Sequence, residues 1–511
     1  MNLIPKINGK VELTGGVSTV RIARREKDPA LPREGYRLTV REQEIVLSAG
    51  DDAGFFYGQV TLEQLLEEGP VPCGVYEDVP RYAYRCFLLD VSRHFFPLGE
   101  LKKLVEECAR LKLNAFHWHL SDDQGFRIES KRFPRLNEIA SWREEDGEKI
   151  GGFYTQEEIR ELVAFAAERH VTVVPEIDLP GHTSAITAAY PELSCSGEPG
   201  RVETGAGIYP RILCGGEERV YEFLAALLDE VTGLFPGPWF HIGGDEAPKD
   251  EWKRCPKCQA AMGRYGLRDE EELQAYFTAR LADLLEAKGK TVIGANEILA
   301  SGKMKKSVVA QYWTDGGAAY SAAEIPKGRR FIFSNVSSFY LDYDPAMVTM
   351  RGAYSYEPHI PGGEAVKPQQ ILGLEAPLWT EYVTTCQRLE EMAFPRLAAM
   401  AENAWTKEKD WEDFCVRLRA YAKHWEEKGV AYGDLEKAIA PGAEDAAKAL
   451  LEQMLRWGDI EDKDGGKKIR EKLREDLGQQ DFDPGWLWRL MSPAYSEGEL
   501  EAILANLRRL L

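Results

Sequence analysis

Between residues 86 and 376, short apolar segments alternate with helical patterns, and this alternation restricts the chain to a small set of folds. Eight apolar or aromatic segments occur, at residues 86–92, 114–121, 171–179, 239–242, 291–294, 307–313, 330–336 and 370–376. Between them, side chains repeat with the period of an amphipathic helix at residues 98–111, 155–168, 217–234 and 271–287. Strands that alternate with helices predict a parallel sheet, and eight repeats predict an α/β fold with a closed (β/α)₈ TIM barrel.

The regions on either side of the barrel have different patterns, so we divide the chain into three domains. Residues 1–80 are predicted to form a small α+β domain, which precedes a barrel domain at residues 81–430. The strand-like and helical runs of the first domain lie at residues 36–40, 44–48 and 54–66. Residues 431–511 are predicted to form a helical C-terminal region. Its helical patterns lie at residues 434–440, 443–457, 467–477 and 497–511.

The composition restricts the partners and the cellular location. The 511 residues carry a formal net charge of −20, which argues against a nucleic acid or an anionic membrane as a main partner. No apolar run is long enough to cross a membrane, and the first residues lack the apolar core of a signal peptide. We therefore expect a cytoplasmic protein. The sequence does not indicate its oligomeric state.

The nine cysteines are spread over a long chain, which does not indicate a disulfide scaffold. Cys255 and Cys258 have the spacing of a zinc knuckle, but no second pair with this spacing accompanies them. Cys195 and Cys214 flank a glycine-rich loop, and we expect them to be free thiols. The sequence therefore predicts no metal site.

Polar and ionisable residues lie at or just past the C-terminal end of every one of the eight apolar segments. In a barrel of this kind the active site is built at the carboxyl ends of the strands, so these residues predict a catalytic mouth. They are Asp90, Arg93, His117, His119, Asp122, Asp123, Glu176, Asp178, His182, Asp245, Glu246, Asn296, Glu297, Trp313, Asp315, Tyr340, Asp342, Glu375, Trp379 and Glu381.

The fourth segment ends in the sequence His241-Ile-Gly-Gly-Asp-Glu246, which places two adjacent carboxylates after two glycines. We call Asp245 and Glu246 the acid pair. The glycines allow a sharp turn and the close approach of a ligand, and carboxylates at a strand end are costly to bury unless they are paired or used. The alternative is that the acid pair opens the next helix as a cap.

The chemistry of the mouth fits a sugar. Carboxylates and arginine bind hydroxyl groups, tryptophan stacks on sugar rings, and cleavage of a glycosidic bond needs a carboxylic acid to protonate the leaving oxygen. Two alternatives stay open. In the first, the protein is a metal-dependent barrel hydrolase whose ligand set is His117, His119, His182 and Asp245. In the second, the barrel binds sugars without cleaving them.

Three further motifs accompany the acid pair, at residues 85–94 (RCFLLDVSRH), 116–125 (FHWHLSDDQG) and 175–182 (PEIDLPGH). In this order they resemble glycoside hydrolase family 20, the β-N-acetylhexosaminidases. The resemblance covers roughly residues 50 to 430, and the front domain also resembles the small α+β domain of that family. It implies an exo-acting enzyme without a cofactor that removes terminal β-linked GlcNAc or GalNAc.

The resemblance also implies a mechanism in which the 2-acetamido oxygen of the substrate attacks the anomeric carbon and configuration is retained. Glu246 is then the general acid and base, Asp245 holds the acetamido N–H, and Tyr340 holds its carbonyl oxygen. The resemblance assigns the sugar hydroxyls to Arg93, Asp342 and Glu381. It assigns the pocket walls to Trp313 and Trp379, and the proton relay to Asp122 and His182.

One position departs from the family pattern. The residues at 293–297 read Ile-Gly-Ala-Asn-Glu, so Ala295 stands where the family usually has a tryptophan. We expect the missing indole to widen the pocket beside the acetamido group, or a neighbouring side chain to fill the gap.

Overall fold

A computed structural model describes residues 1–145, 147–461 and 495–511, together with residues 468, 471, 474 and 475. The first residues form a five-stranded sheet in the order β1-β5-β3-β4-β2, and one helix packs against it. These elements are β1 (Val11–Ser18), β2 (Ile22–Lys27), β3 (Tyr36–Arg41), β4 (Glu44–Ala49), α1 (Asp52–Glu67) and β5 (Val71–Asp78). The helix α1 begins where it does because the side chain of Asp51 accepts a hydrogen bond from the backbone N–H of Gly54.

Eight parallel strands then close into a barrel, in which each strand pairs with the next one along the chain and the eighth pairs with the first. In chain order, barrel strands 1 to 8 are Tyr84–Asp90, Ala115–His119, Thr172–Glu176, Trp239–His241, Thr291–Ala295, Val309–Tyr312, Phe331–Phe333 and Ile371–Leu378. The predicted TIM barrel is confirmed, and each of its strands overlaps one of the eight predicted segments. Two short hairpins lie outside the barrel, Ser121–Asp122 with Gly125–Phe126 and Trp142–Glu145 with Glu148–Gly151.

Helices surround the barrel and cover its outer apolar face. After α1, the α-helices of the described residues are Leu98–Arg110, Gln156–Ala167, Ser184–Ala189, Glu218–Thr232, Asp250–Arg254, Pro256–Tyr265, Glu270–Glu286, Ala318–Glu324, Val336–Phe339, Met350–Ser355, Cys386–Ala393, Arg396–Trp405, Trp411–Lys428, Leu435–Ile439, Ala443–Glu461 and Glu497–Leu510. The crossover between barrel strands 5 and 6 contains only the short 3₁₀ helix Asn296–Leu299, which is why the sequence shows no amphipathic period there. None of the described helices is long and apolar enough to cross a membrane.

The helical C-terminal region packs against the loop that follows barrel strand 7. Side chains of the helices Ala443–Glu461 and Glu497–Leu510 form one apolar cluster with Ala346 and Met347 of that loop. The hydroxyl of Tyr495 donates a hydrogen bond to the carbonyl oxygen of Ala346 at 2.7 Å. Most of the helix predicted at residues 467–477 lies outside the described residues, so that part stays a prediction.

We expect Ile503→Ala to loosen the C-terminal region. Ile503 is fully buried in the cluster that joins the two C-terminal helices to the loop, and such a truncation costs about 2–5 kcal/mol. The melting temperature should therefore fall. Glu501→Ala, on the exposed side of the same helix, is the matched control and should leave it unchanged. Equal melting temperatures for the two variants would contradict this packing.

Candidate active site

The acid pair lies in a tight turn after barrel strand 4, and two glycines form this turn. Gly243 and Gly244 have φ values of 59° and 102°, which glycine adopts more readily than other residues. A Cβ atom on Gly243 would lie 1.6 Å from Oδ1 of Asp178. One on Gly244 would lie 2.4 Å from Cγ2 of Ile298. Gly243 therefore admits the neighbouring carboxylate of Asp178, which accepts a 3.0 Å hydrogen bond from the N–H of Gly244, and the close approach of a ligand stays a prediction.

The carboxylate of Glu246 is the more accessible member of the acid pair. Its side chain is 35% exposed, against 20% for Asp245. Glu246 has a φ of 45°, a strained conformation for a non-glycine residue that is typical of functional sites. The alternative that the acid pair caps the next helix is wrong, because that helix begins at Asp250 with Lys249 as its N-cap residue.

A chain of charged groups runs beneath the acid pair. Oδ1 of Asp122 lies 3.1 Å from Nδ1 of His182, and Oδ2 lies 2.9 Å from Nη2 of Arg93. The other ring nitrogen of His182, Nε2, lies 3.6 Å from Oε2 of Glu246. Burial favours the neutral ring, but Asp122 outweighs it and raises the pKa of His182 well above its usual value. The shift favours the protonated form of the His182 ring, with the carboxylate of Asp122 as its partner.

The environment of Asp245 favours the neutral form of its carboxyl group. Burial raises the pKa of Asp245, and the nearby positive charge of His182 only partly opposes this shift. Burial and the charge of Asp245 also raise the pKa of Asp178 well above its usual value and that of Glu297 to about 8. The mouth thus contains more buried carboxyl groups than cations, an arrangement that favours a positively charged ligand or transition state.

Arg93 connects the acid pair to a second group of carboxylates. Its guanidinium lies 5.2 Å from the centre of the Trp379 ring, and Nη2 lies 3.7 Å from Oε1 of Glu381. Asp342 is partly exposed, and its Oδ1 has no hydrogen-bond partner among the described residues. Burial and the charge of Glu381 raise the pKa of Asp342 to about 8. The hydroxyl groups of a ligand would satisfy such acceptors.

Aromatic rings form the walls of the pocket. Trp313 stacks on Tyr340 with ring centres 6.0 Å apart and an angle of 21°, and Tyr340 lies 6.2 Å from Trp379. The indole N–H of Trp313 donates a hydrogen bond to Oε2 of Glu297 at 2.9 Å, which fixes the ring. Burial and the charge of Asp245 raise the pKa of Tyr340, so its hydroxyl stays neutral and can donate a hydrogen bond.

Below the pocket, the carboxylate of Glu176 is shared by three histidines inside the barrel. The strand register places His119, Glu176 and His241 side by side. Oε2 of Glu176 lies 2.5 Å from His119 Nδ1 and 3.1 Å from His117 Nε2. Oε1 lies 2.7 Å from His241 Nδ1. Although burial opposes ionisation, these histidines hold the pKa of Glu176 well below its usual range.

This interior network corrects part of the sequence prediction. Glu176, Glu375, His117 and His119 were expected at the mouth, but each is at most 2% exposed and belongs to the barrel interior. Oε2 of Glu375 lies 3.2 Å from Nδ1 of His117, and despite burial the two glutamates raise the pKa of His117 to about 9. The four residues of the metal alternative are not brought together. In the described part of the chain, no group of mutually close donor atoms contains more than two of them.

The ten residues to which the resemblance gives a role lie in one connected set around the pocket. They are Asp245, Glu246, Tyr340, Arg93, Trp313, Trp379, Asp342, Glu381, Asp122 and His182. Sequence reasoning gave no role to Asp178, which supports the glycine turn, or to Glu297, which holds Trp313. Both follow predicted strands, but nothing in their own segments indicates which residue they contact.

Ala295 is only 1% exposed, and its backbone N–H donates a hydrogen bond to the carbonyl oxygen of Gly243 at 2.9 Å. Solvent hardly reaches a side chain this deeply buried, so it does not border open space. The expected widening of the pocket at this position is therefore wrong.

A carboxylate-rich, tryptophan-walled pocket at the carboxyl ends of the strands of a (β/α)₈ barrel defines the class of barrels that act on carbohydrates. A family model described as "Glycosyl hydrolase family 20, catalytic domain" matches residues 82–408, and one described as "Glycosyl hydrolase family 20, domain 2" matches residues 6–79. The chain belongs to glycosyl hydrolase family 20.

Similar proteins agree with this assignment. The chain is 39% identical over 432 residues to a "Beta-hexosaminidase" of Porphyromonas gingivalis, covering 79% of this chain but only 55% of that protein. It is 34% identical over 475 residues to a "Beta-N-acetylhexosaminidase" of Cellulomonas fimi, covering 88% and 91% of the two chains. A crystal structure of a GH20 exo-β-N-acetylglucosaminidase from Vibrio harveyi in complex with N-acetylglucosamine has a TM-score of 0.76 at 31% identity, covering 85% of this chain and 78% of that one.

We expect Ala295→Trp to overpack the site and not to refill an open pocket. The buried methyl group leaves no room for an indole, so the free energy of unfolding should fall by about 1–3 kcal/mol. Turnover of aryl N-acetyl-, N-propionyl- and N-butyryl-hexosaminides should fall by similar factors. The exposed Ala300→Trp serves as the control and should retain both stability and turnover. A selective loss of the longer acyl substrates would instead indicate open space beside Ala295.

Proposed function

We propose that the protein is an exo-β-N-acetylhexosaminidase that removes a terminal β-linked N-acetylhexosamine by substrate-assisted, retaining hydrolysis. The arrangement of the acid pair carries this proposal. Glu246 is accessible and its Oε2 lies 3.6 Å from Nε2 of His182, whereas Asp245 is less accessible and its charge raises the pKa of Tyr340. The names of the similar proteins support the same activity.

In the first step, the carboxylic acid of Glu246 donates its proton to the glycosidic oxygen. The acetamido oxygen of the substrate attacks the anomeric carbon, the bond to the aglycone breaks, and a cationic oxazolinium ring forms. In the second step, Glu246 removes a proton from water as the water attacks the same carbon, and the oxazolinium opens to the sugar with retained configuration. Adjacent side chains suit this route, because only one of the two acids has to reach the leaving oxygen.

Asp245 and Tyr340 act on the acetamido group. Asp245 accepts a hydrogen bond from the acetamido N–H and opposes the positive charge of the oxazolinium. The neutral hydroxyl of Tyr340 donates a hydrogen bond to the acetamido carbonyl oxygen. Both groups are prearranged in a largely dry pocket, where a fixed charge is worth more than it is in water. The excess of buried carboxyl groups favours the same cation.

His182 orients the general acid. Its Nε2 atom is buried without a hydrogen-bond partner among the described residues and lies 3.6 Å from Oε2 of Glu246. Catalytic hydrogen bonds are often this long before the substrate closes the site. Because Asp122 fixes the other nitrogen of the ring, His182 can steer the proton of Glu246 towards the pocket.

The remaining groups would hold the sugar. Arg93 would bind the 3- and 4-hydroxyls, while Asp342 and Glu381 would bind the 4- and 6-hydroxyls through carboxyl oxygens that now lack partners or share Arg93. Trp313 and Trp379 would stack against the apolar faces of the sugar and the acetamido group. The cytoplasmic location stays a prediction.

The two alternatives have less support. A metal-dependent hydrolase needs His117, His119, His182 and Asp245 to converge, but His117 and His119 contact Glu176 below the mouth. A barrel that binds sugars without cleaving them would not need an accessible glutamate 3.6 Å from a buried histidine that is itself held by an aspartate.

We expect Glu246→Gln to lower kcat by about 10²–10⁴-fold on substrates with poor leaving groups, because the glycosidic oxygen loses its proton donor. An activated aryl leaving group needs little protonation, so bond cleavage should be affected much less. Steady-state and burst kinetics with both substrate types would measure this difference. The same loss with both would show that Glu246 is not the acid.

We expect Asp245→Asn to lower kcat by about 10²–10³-fold, the effect of removing one prearranged electrostatic partner of the transition state. Asp250→Asn is the matched control, since Asp250 is exposed at the start of the next helix. Plain aryl glucosides, which lack the acetamido group, should be cleaved poorly or not at all by the unaltered enzyme. Efficient cleavage of a glucoside would overturn the substrate-assisted mechanism.

A further inference from the structure

Four cysteines from two separate loops meet at one point beside the barrel. Their sulfur atoms all lie within 4.8 Å of one another, and we call Cys195, Cys214, Cys255 and Cys258 the cysteine cluster. Sγ of Cys258 lies 3.8 Å from that of Cys195 and 3.6 Å from that of Cys214. Cys214 and Cys255 are also separated by 3.8 Å.

These separations match a tetrahedral metal site. A zinc–sulfur bond of about 2.3 Å places the sulfur atoms at the corners of a tetrahedron about 3.8 Å apart. A disulfide would instead bring two of the sulfur atoms to about 2.05 Å. Cys214 and Cys258 are fully buried, Cys255 is 5% exposed, and Cys195 is partly exposed, so little solvent reaches the centre.

Local structure directs both pairs of thiols inwards. Cys255 precedes the helix Pro256–Tyr265, and Cys258 lies in its first turn, so both lie at the positive end of the helix dipole, which stabilises thiolates. On the other loop, Ser194 and Leu213 form an antiparallel bridge that holds together the two segments that carry Cys195 and Cys214.

The two loops also fit closely against each other. A Cβ atom on Gly216 would lie 2.3 Å from the carbonyl carbon of Lys257, so only glycine permits this approach of the first loop to the second. The buried indole of Trp252 donates a hydrogen bond to the carbonyl oxygen of Leu213 at 2.8 Å. The sequence predicted two unrelated pairs because the cysteines that meet are far apart in the chain. Cys214 and Cys255 are separated by 41 residues, and Cys195 and Cys258 by 63.

We propose that the cysteine cluster binds one zinc ion as a structural site. Four thiolate ligands from the protein leave no open position for substrate, which is typical of structural zinc and not of catalytic zinc. One loop follows barrel strand 3 and carries His182, and the other follows barrel strand 4 and carries the acid pair. The zinc ion would therefore fasten together the two loops whose first residues form the proton-transfer part of the site. Binding releases the thiol protons to solvent.

The metal content of the full chain, purified without chelator or added metal, tests this proposal. Elemental mass spectrometry should find about one zinc ion per chain. Cys258→Ser should lose most of this zinc, because a neutral hydroxyl replaces a thiolate ligand. Cys386→Ser makes the same change at a free thiol outside the cluster and should retain the zinc.

A second measurement uses the unaltered protein and does not depend on the folding of a variant. Titration with an organomercurial should release zinc in step with the blocking of the four cluster thiols, and the melting temperature of the zinc-free chain should be lower. Replacement by Co²⁺ should give the absorption spectrum of a tetrahedral thiolate complex.

Three outcomes would overturn the proposal. The first is a chain without zinc whose cluster cysteines are free thiols or disulfides by mass spectrometry. Zinc retained equally by Cys258→Ser and Cys386→Ser would exclude these ligands. Iron in place of zinc, visible by its colour, would exclude the assignment of the metal.

Discussion

The active site depends on the buried carboxylate of Glu176 at the centre of the barrel. An isolated charge at this depth would be prohibitively costly, so it is retained because three histidines compensate it. One of them, His119, also contacts Asp122 at 2.9 Å, and Asp122 in turn holds Arg93 and His182. The charge at the mouth is thus coupled to the charge in the core, and a change at Glu176 would reach the acid pair through this series of contacts.

The backbone around the acid pair carries the second constraint. His182 and Glu246 both have positive φ values, 52° and 45°, and each faces the other across the turn formed by Gly243 and Gly244. Side chains at either glycine would collide with neighbouring residues, so the turn has little freedom to relax. Strain of this kind persists only where the surrounding structure fixes it, and here the barrel strands on both sides supply the fixed frame.

Loops at the mouth gain further support from outside the barrel. The C-terminal helices pack on Ala346 and Met347, in the loop that also contains Tyr340 and Asp342. The cysteine cluster joins the two loops that begin at the proton-transfer residues. Both supports act on the segments that follow barrel strands 3, 4 and 7, so they limit the motion of groups that must be placed to within a fraction of an ångström.

The sequence by itself determined the barrel, because the alternation of apolar strands with amphipathic helices is a local pattern that each segment carries on its own. It also predicted the set of residues around the pocket, since strand ends in a parallel barrel must meet at one face. Only the tertiary structure decided the depth of each side chain. It moved Glu176 and Glu375 from the mouth to the interior, buried Ala295, and joined the cysteine cluster. These contacts depend on strand register, barrel closure and loop packing. Each contact joins residues that are far apart in the chain and that no local pattern relates.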